Sequence, residues 1–383
     1  SDIIIVSPGV PHEIGPLMSA RAKGIPVIGE LELAGRLIDT PIIAVTGTNG
    51  KSTVTEFLGT MLRNEGLEVF VGGNIGIPLM AYVQGDIRAD YDVVEVSSFQ
   101  LDTIEEFRPF ISIVLNISPD HLDRYPDYDA YVAAKLKIFG NQGPGQHVIL
   151  NDDDSRLRLL TLSSGASVLR YGMDEKEGRH AFIKDGMVTV CLGGQGTKTF
   201  SLDPFHLPGQ HHLETLLAVV LCGLTLGISP SVIRKSIARF KGLPNRCEKV
   251  AELDGVLFYN DSKATNVDAA ARSVTGFDRP LVLIAGGRHK GADYRSLVNA
   301  ARKKVKRAIF LGEASDLMAA SFEGILPISF AKDMEEAVSM ASAWAERGDI
   351  VLLAPACSSF DMFSDYSHRG KVFRTAVEKL SHG

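Results

Sequence analysis

The chain has 383 residues, 45% of them hydrophobic, with 40 basic against 46 acidic residues and a net charge of −6. This length allows two or three domains with proper cores, and a mildly acidic chain without long runs of either sign is no natural partner for nucleic acid or an anionic membrane. The longest apolar stretch, Leu216–Ile228, is broken by Gly223 and Thr225 and is too short to span a bilayer; four scattered cysteines without a Cys-x-x-Cys pair argue for a reducing, cytoplasmic compartment and against structural zinc.

In chain order, Ile3–Val6 predicts a strand, followed by a Ser-Pro-Gly turn, a short polar helix around Leu17–Lys23 and a strand at Pro26–Ile28. These read as the closing units of an α/β domain. From Pro41 strands and helices alternate as in a parallel sheet, with strands at Ile42–Val45, Glu68–Val71, Asp92–Val96, Ser112–Leu115 and Val148–Leu150. Thr161–Phe200 carries short β-like runs with Gly turns and reads as a peripheral hairpin region. Helices at His211–Leu226 and Ser231–Phe240 precede a linker, Lys241–Cys247, where Gly and Pro interrupt the periodicity. A second α/β block follows, with strands near Val256–Asn260, Leu281–Ala285, Ala308–Leu311 and Ile350–Leu353.

The segment Ala44–Thr53, AVTGTNGKST, describes a loop for a nucleotide triphosphate. In Gly47-Thr48-Asn49-Gly50 the glycines let the backbone turn its N–H groups toward phosphate oxygens. Lys51 brings a mobile positive charge to the β/γ-phosphates, and Ser52 or Thr53 offers a hydroxyl to Mg²⁺ at the start of a helix. Val54, Phe57, Leu58, Met61 and Leu62 fall on one face of that helix and Gly66 ends it. A strict P-loop has glycine where Val45 stands, so the general pattern is met in part.

Glu95 ends a strand beside this loop, where open parallel sheets bind ligands, and suits a second Mg²⁺ ligand. His121 follows the next strand in an equivalent place. Lys135, in a helix at Tyr131–Phe139, is either a snorkelling lysine or a partly buried one with altered chemistry. In the second block Asn260–Asn266 (NDSKATN) opens a helix after a strand and suits a small zwitterion or a phosphate. Helix N-capping would account for Asp261 or Ser262 alone. Arg246, Lys290 in GGRHKGAD and Cys357-Ser358-Ser359 could converge with it. A GTPase would need a base-reading Asn/Thr-Lys-x-Asp after a strand, and none is seen.

With these residues the chain resembles the Mur ligases, the ATP-dependent amide-forming family of cell-wall precursor assembly. Its fingerprint T-G-T-N-G-K-S/T stands at Thr46–Thr53. GGNIG (Gly72–Gly76), EVSSFQL (Glu95–Leu101), DHLDRYP (Asp120–Pro126), APACSSFD (Ala354–Asp361) and above all NDSKATN resemble the branch that adds D-glutamate to UDP-N-acetylmuramoyl-L-alanine. The resemblance implies a multidomain α/β architecture: a partial N-terminal Rossmann-like UDP-binding domain (1–40, a remnant), a central P-loop ATPase-type parallel-sheet domain (41–240) and a C-terminal Rossmann-like α/β domain for the acceptor amino acid (241–383).

It further implies that ATP meets Gly47, Thr48, Asn49, Gly50, Lys51, Ser52 and Thr53, with Arg246 and Asp261. A pair of Mg²⁺ ions would be held by Ser52, Glu95, His121 and Lys135, the last carrying a carbamate. Lys51, Glu95, His121 and Lys135 form the implied catalytic set. Ser7, Pro8, Gly9, Asn74 and His121 would meet the UDP-sugar, and Lys263, Thr265, Lys290, Ser359 and Phe360 the D-glutamate. A monomer with small-molecule substrates is expected. Two departures stand out. The family's two asparagines on the adenine-contacting helix are His212 and Thr215 here, and the first βαβ unit has no counterpart ahead of Ser1, so weak holding of the UDP-sugar is expected.

Overall fold

The computed structural model describes residues 2–11, 13–85, 88–122, 124–194, 196–291 and 293–380. Ser1, Asp123 and Ala292, the last two inside motifs named above, lie outside the described residues. The chain divides into two compact units: Ser1–Ile117 with Asp127–Phe205 and Leu213–Phe240, and Ser118–Pro126 with His206–His212 and Lys241–Gly383.

The first unit begins with β1 (Ile4–Val6), α1 (Gly15–Ala22), β2 (Val27–Gly29) and α2 (Glu30–Leu37). β1 and β2 pair in parallel as a small sheet of their own over Val6, Leu17, Ala20 and Val27. Next come β3 (Ile42–Thr46), α3 (Lys51–Glu65), β4 (Val69–Gly73), α4 (Leu79–Val83), β5 (Tyr91–Glu95), α5 (Ser98–Leu101), β6 (Ile111–Val114) and α6 (Tyr128–Leu136). β7 (His147–Asn151), α7 (Ser155–Arg158), β8 (Ser167–Tyr171), β9 (Ala181–Lys184), β10 (Met187–Leu192), β11 (Gly196–Ser201), α8 (Gln210–Thr225; from Leu213 onward in this unit) and α9 (Pro230–Arg239) complete it.

Nine of these strands make one sheet in the order β11-β10-β9-β8-β7-β6-β3-β5-β4. It is parallel from β4 to β9 and antiparallel beyond. The hairpin region expected at the periphery therefore extends the main sheet, because β8 pairs along its whole length with β7. Strand order reverses around β3, whose neighbours are β5 and β6, and the crevice at such a reversal is where α/β sheets bind ligands.

The helical spacing read in α3 is real: Val54, Phe57, Leu58, Met61 and Leu62 are all fully buried against Ile43, Val45 and Ile113. Each large apolar side chain so buried contributes about 1.5–3 kcal/mol. Gly66, left-handed at φ 98°, closes the helix by donating to Arg63 O. Leu216–Cys222 of α8 is buried on every side, which explains its unbroken apolar character without a membrane. No helix among the described residues is long and apolar enough to cross one. One charged group is out of keeping with this core. Asp92 on β5 is fully buried, and neither carboxylate oxygen has a hydrogen-bond partner among the described residues.

The second unit holds β12 (Glu248–Leu253), β13 (Val256–Asn260), α10 (Val267–Thr275), β14 (Leu281–Gly286), α11 (Arg295–Lys304), β15 (Val305–Leu311) and α12 (Ser315–Ser321). β16 (Ile328–Phe330), α13 (Met334–Trp344), β17 (Ile350–Ala356) and α14 (Tyr366–Leu380) follow. The sheet order is β12-β13-β17-β14-β15-β16, parallel except for the antiparallel edge strand β12. Both faces are covered, one by α10–α12 and the other by α13 and α14, as the near-continuous apolar runs of β14 and β17 require.

Candidate active site

In the first unit the site grows from the carboxyl ends of β3, β5 and β6. The loop after β3 enters α3 through Gly50, whose φ of 87° favours a residue without Cβ. A helix N-terminus behind a glycine turn attracts phosphate through its backbone N–H groups and dipole. Lys51 Nζ folds back over the loop, donating to Gly47 O (2.9 Å) and Thr48 O (3.0 Å). Asn116, just past β6, pins the loop from the other side. Its Nδ2 donates to Asn49 O at 3.0 Å and its Oδ1 accepts from Asn49 N at 2.9 Å. In the sequence nothing marks Asn116 beyond its following a strand.

Glu95, buried at the end of β5, accepts from Ser52 Oγ at 2.5 Å and from Asn74 Nδ2 at 2.9 Å. The structure thus brings together three residues predicted from separate motifs. Close backbone approach makes this possible: Asn74 N donates to Glu95 O at 2.9 Å. Gly73, at φ 101°, lies where a Cβ would come within 2.5 Å of that same oxygen. The neighbouring EVSSFQL residues serve mainly to start α5, through a reciprocal cap between Ser97 and Gln100.

Lys135 is 2% exposed. Its Nζ donates to Gly47 O at 2.9 Å and lies 4.7 Å from the Tyr131 ring, whose hydroxyl is 3.1 Å from Thr48 Oγ1. The lysine therefore points at the loop and is not a snorkelling surface residue. Pro8 of the Ser7-Pro8-Gly9 turn and Asn74 line one cavity of ~220 Å³ with Glu30, Leu31, Gly73, Pro78, Leu79 and Gln100.

His121 belongs to the second unit, in the Ser118–Pro126 loop, which is tied there by Asn266 Nδ2 donating to Asp120 Oδ2 at 3.1 Å. Its backbone is left-handed (φ 56°) and its N–H donates to Asp120 Oδ1. Lys51, Ser52, Glu95 and Lys135 all lie in the first unit.

The second unit's candidates follow adjacent strand ends. Asn260–Asn266 succeeds β13, Cys357–Ser359 succeeds β17 and Gly287–Lys290 succeeds β14. The helix cap here is Asn266, accepting from Ala269 N at 2.8 Å, so capping does not account for Asp261 or Ser262. Asp261 accepts from Cys247 N at 3.2 Å and from the Ser273 hydroxyl, holding the end of the linker next to Arg246. Burial pushes its carboxyl above the ordinary carboxylate range.

Lys263 Nζ stands 3.8 Å from the centroid of the Tyr366 ring, a cation–π contact that fixes the ammonium. Tyr366 was missed in sequence, where nothing distinguishes it from any aromatic opening a helix. Thr265 and Lys290 are half-buried and Ser359 is buried, whereas Phe360 is 64% exposed. His212 is buried, held low at about 4 by that burial, and its Nδ1 lies 2.6 Å from Pro208 O. It is a neutral imidazole donating to that carbonyl, which leaves Nε2 as an acceptor.

Residues 45–223 match the Mur ligase middle domain, and residues 245–357 match the Mur ligase, glutamate ligase domain. The chain belongs to the Mur ligase family. Its relatives include the UDP-N-acetylmuramoylalanine--D-glutamate ligase of Pelotomaculum thermopropionicum, 43% identical, with 100% of this chain and 84% of that protein covered. The protein of the same name from Desulfosudis oleivorans is also 43% identical, over 100% of this chain and 83% of its own length. Among solved structures, the MurF ligase of Thermotoga maritima in complex with ADP has a TM-score of 0.68 at 18% identity, covering 99% of this chain and 96% of that one, a likeness of fold.

Proposed function

We propose that the chain is an ADP-forming ligase that joins D-glutamate to UDP-N-acetylmuramoyl-L-alanine in peptidoglycan-precursor synthesis. The observation that carries this reading is 43% identity, over the whole chain, to ligases of that name. The carboxylate of the sugar-peptide attacks the γ-phosphorus of ATP, giving an acyl phosphate and ADP. The amine of D-glutamate then attacks the activated carbonyl, and phosphate leaves from a tetrahedral intermediate. ATP and a uridine nucleotide sugar are cytoplasmic metabolites, which supports that compartment.

In this reading residues 41–240 handle ATP, 241–383 the acceptor, and 1–40 with Asn74 and His121 the nucleotide sugar. Lys51 and the Gly47–Thr53 loop orient the triphosphate and spread its developing charge. Arg246 and Asp261 meet the nucleotide. Lys263, Thr265, Lys290 and Ser359, with Phe360, hold the D-glutamate carboxylates and so direct the amine, where proximity contributes most.

The residues fit magnesium. Ser52 and Glu95 pair a hydroxyl with a carboxylate, both hard oxygen donors, 2.5 Å apart beside the phosphate loop. Among the described residues no three His, Cys, Asp or Glu side chains gather as a metal site, so phosphate oxygens and water would complete the shell. Ser52 and Glu95, with His121 and a carbamate on Lys135, would hold the ions. Bound Mg²⁺ supplies Lewis-acid neutralisation of phosphoryl charge. A carbamate fits Lys135 because its amine is buried and shares an acceptor with Lys51, a like charge.

The test is ADP release from this chain with ATP, UDP-N-acetylmuramoyl-L-alanine and each candidate amino acid in turn. Turnover that requires D-glutamate supports the reading, and turnover with meso-diaminopimelate or D-alanine in its place overturns it.

A further inference from the structure

Arg369, on α14, is the largest fully buried side chain among the described residues, 2% exposed. Among the described residues no carboxylate lies within ion-pair distance of it, although Asp361 acts on it from farther off. Its guanidinium instead donates Nε to Ser262 Oγ (3.0 Å), Nη2 to Ser262 O (2.8 Å), and Nη1 to Cys357 O (3.2 Å) and Ser358 O (3.3 Å). Burial draws it down to about 10, so it stays charged at neutral pH. A buried charge without a carboxylate in direct contact is expensive, and packing alone would be served better by an apolar side chain of that size.

All its partners lie on two strand-end loops. Ser262 precedes Lys263 after β13; Cys357 and Ser358 precede Ser359 after β17. A trans peptide is planar, with its carbonyl and the following N–H on opposite sides. Each carbonyl drawn to Arg369 therefore turns the next N–H away from it; the Ser358 carbonyl is held there jointly with the Arg288 N–H, which donates to it at 3.0 Å. The Lys263 N–H so turned donates to Asn245 O at 3.1 Å, and the Ser358 N–H to Arg288 O at 3.1 Å. The Ser359 N–H meets no acceptor among the described residues, although Ser359 is only 2% exposed. A buried donor held without a partner is what an anion subsite requires.

We propose that Arg369 is a positioning residue for the acceptor: it holds three carbonyls so that the Ser359 N–H and the Lys263 ammonium are set to receive a carboxylate of the incoming amino acid. This rests on the D-glutamate reading above. The guanidinium works as a planar fork that spans two loops, which a lysine ammonium cannot reproduce. Its positive charge also lies behind the subsite and favours an anion there.

The experiment is steady-state ADP release by the full chain carrying Arg369→Lys, Arg369→Ala or Ser262→Ala, with each substrate varied in turn. Arg369→Lys raises the KM for D-glutamate by about tenfold or more while the KM values for ATP and the nucleotide sugar stay within about twofold, the split that separates an acceptor role from general damage. Ser262→Ala, which removes one hydroxyl and leaves the guanidinium in place, shifts the same KM in the same direction by a smaller factor. Added guanidinium ion partly restores Arg369→Ala. Equal rises for all three substrates, or an unchanged D-glutamate KM, overturn the proposal. If the Arg369 variants do not fold, Ser262→Ala decides on the same criterion. Wild-type chain that releases no ADP with D-glutamate overturns the functional reading itself, and does so before any variant is made.

Discussion

Nζ of Lys51 and Nζ of Lys135 donate to one acceptor, the carbonyl oxygen of Gly47, at 2.9 Å each. One ammonium comes from the first residue of α3, the other from the last turn of α6. Two like charges on a single oxygen oppose each other, and the site relieves this when a polyanion enters or when one amine changes its chemistry.

Conversion of Lys135 to a carbamate supplies the second form of relief, because it replaces one positive charge by a negative one that Lys51 can meet. Carbamate forms from CO₂ and a neutral amine. A crystal structure of the metal- and nucleotide-loaded protein is expected to show the extra heavy atoms of a carbamate on Nζ. Activity should also fall when bicarbonate is stripped from the buffer. A bare ammonium paired with a carboxylate in that loaded state would sink the idea.

Lys51→Ala removes the charge that the triphosphate would draw off the loop carbonyls. ADP release should fall by about 10²–10³-fold, as when one preorganised electrostatic group is lost. The far-ultraviolet circular dichroism should be unchanged, since the two hydrogen bonds of its Nζ to Gly47 O and Thr48 O tie a loop and not a helix or strand. Retained ATP-dependent turnover would contradict the assignment of this loop.

Lys263→Ala should raise the KM for D-glutamate and leave ATP binding unaltered. Its ammonium is held against Tyr366, so Tyr366→Leu is expected to produce a smaller rise in the same constant. Discrimination between D-glutamate and D-alanine should narrow in Lys263→Ala, because a site built for a charged group rejects analogues lacking it. Unaltered discrimination in that variant would remove Lys263 from the acceptor site.

Asp92 gives a pH dependence of stability. Burial raises its carboxyl from 3.8 to about 6, against weaker opposing pulls from Tyr82 and Arg88. The native state then binds the proton more tightly than the unfolded chain. The group is without penalty below the unfolded value, costs progressively more as pH rises toward 6, and costs about 3 kcal/mol above it. Asp92→Asn should therefore flatten the fall in stability between about pH 4 and pH 6, measured by urea unfolding across that range. The buried amide carries its own cost, so the change of slope is the diagnostic. An identical slope in both proteins would show that Asp92 is not the group responsible.

Sequence alone carried the nucleotide loop well, because everything that defines it is local: strand, turn, Lys51 and the spacing of the apolar face of α3 lie within about two dozen residues. The strand ends bearing Glu95 and NDSKATN were legible for the same reason. β12 and β16 were not. Glu248–Leu253 mixes charge with short apolar residues as edge strands do, and Ile328–Phe330 is three residues long. The strands from β8 to β11 were legible as strands, but pairing is a long-range property, so their place in the main sheet was not. Arg369 was invisible because an arginine in an amphipathic helix reads as a solvent-facing charge. Only the fold reveals that the loops after β13 and β17 close around it. Asn116 was hidden similarly, since its partner Asn49 is distant in sequence.

Gly73 bears on how this enzyme can be altered. The backbone of β4 passes so near β5 there that any side chain would have to displace the strand carrying the Glu95 carboxylate. Gly73 and Asn74 line the ~220 Å³ cavity that the proposed function gives to the nucleotide sugar, so positions 72–76 are natural targets for retuning the choice of that sugar. A saturation library across them should return tolerated variants at Ile75, while changes at Gly73, and at Asn74 whose Nδ2 donates to Glu95, register as a loss of ADP release. A single glycine thereby ties two neighbouring features together: the cavity lined by Gly73 and Asn74 cannot widen at this point without shifting the backbone that carries Glu95.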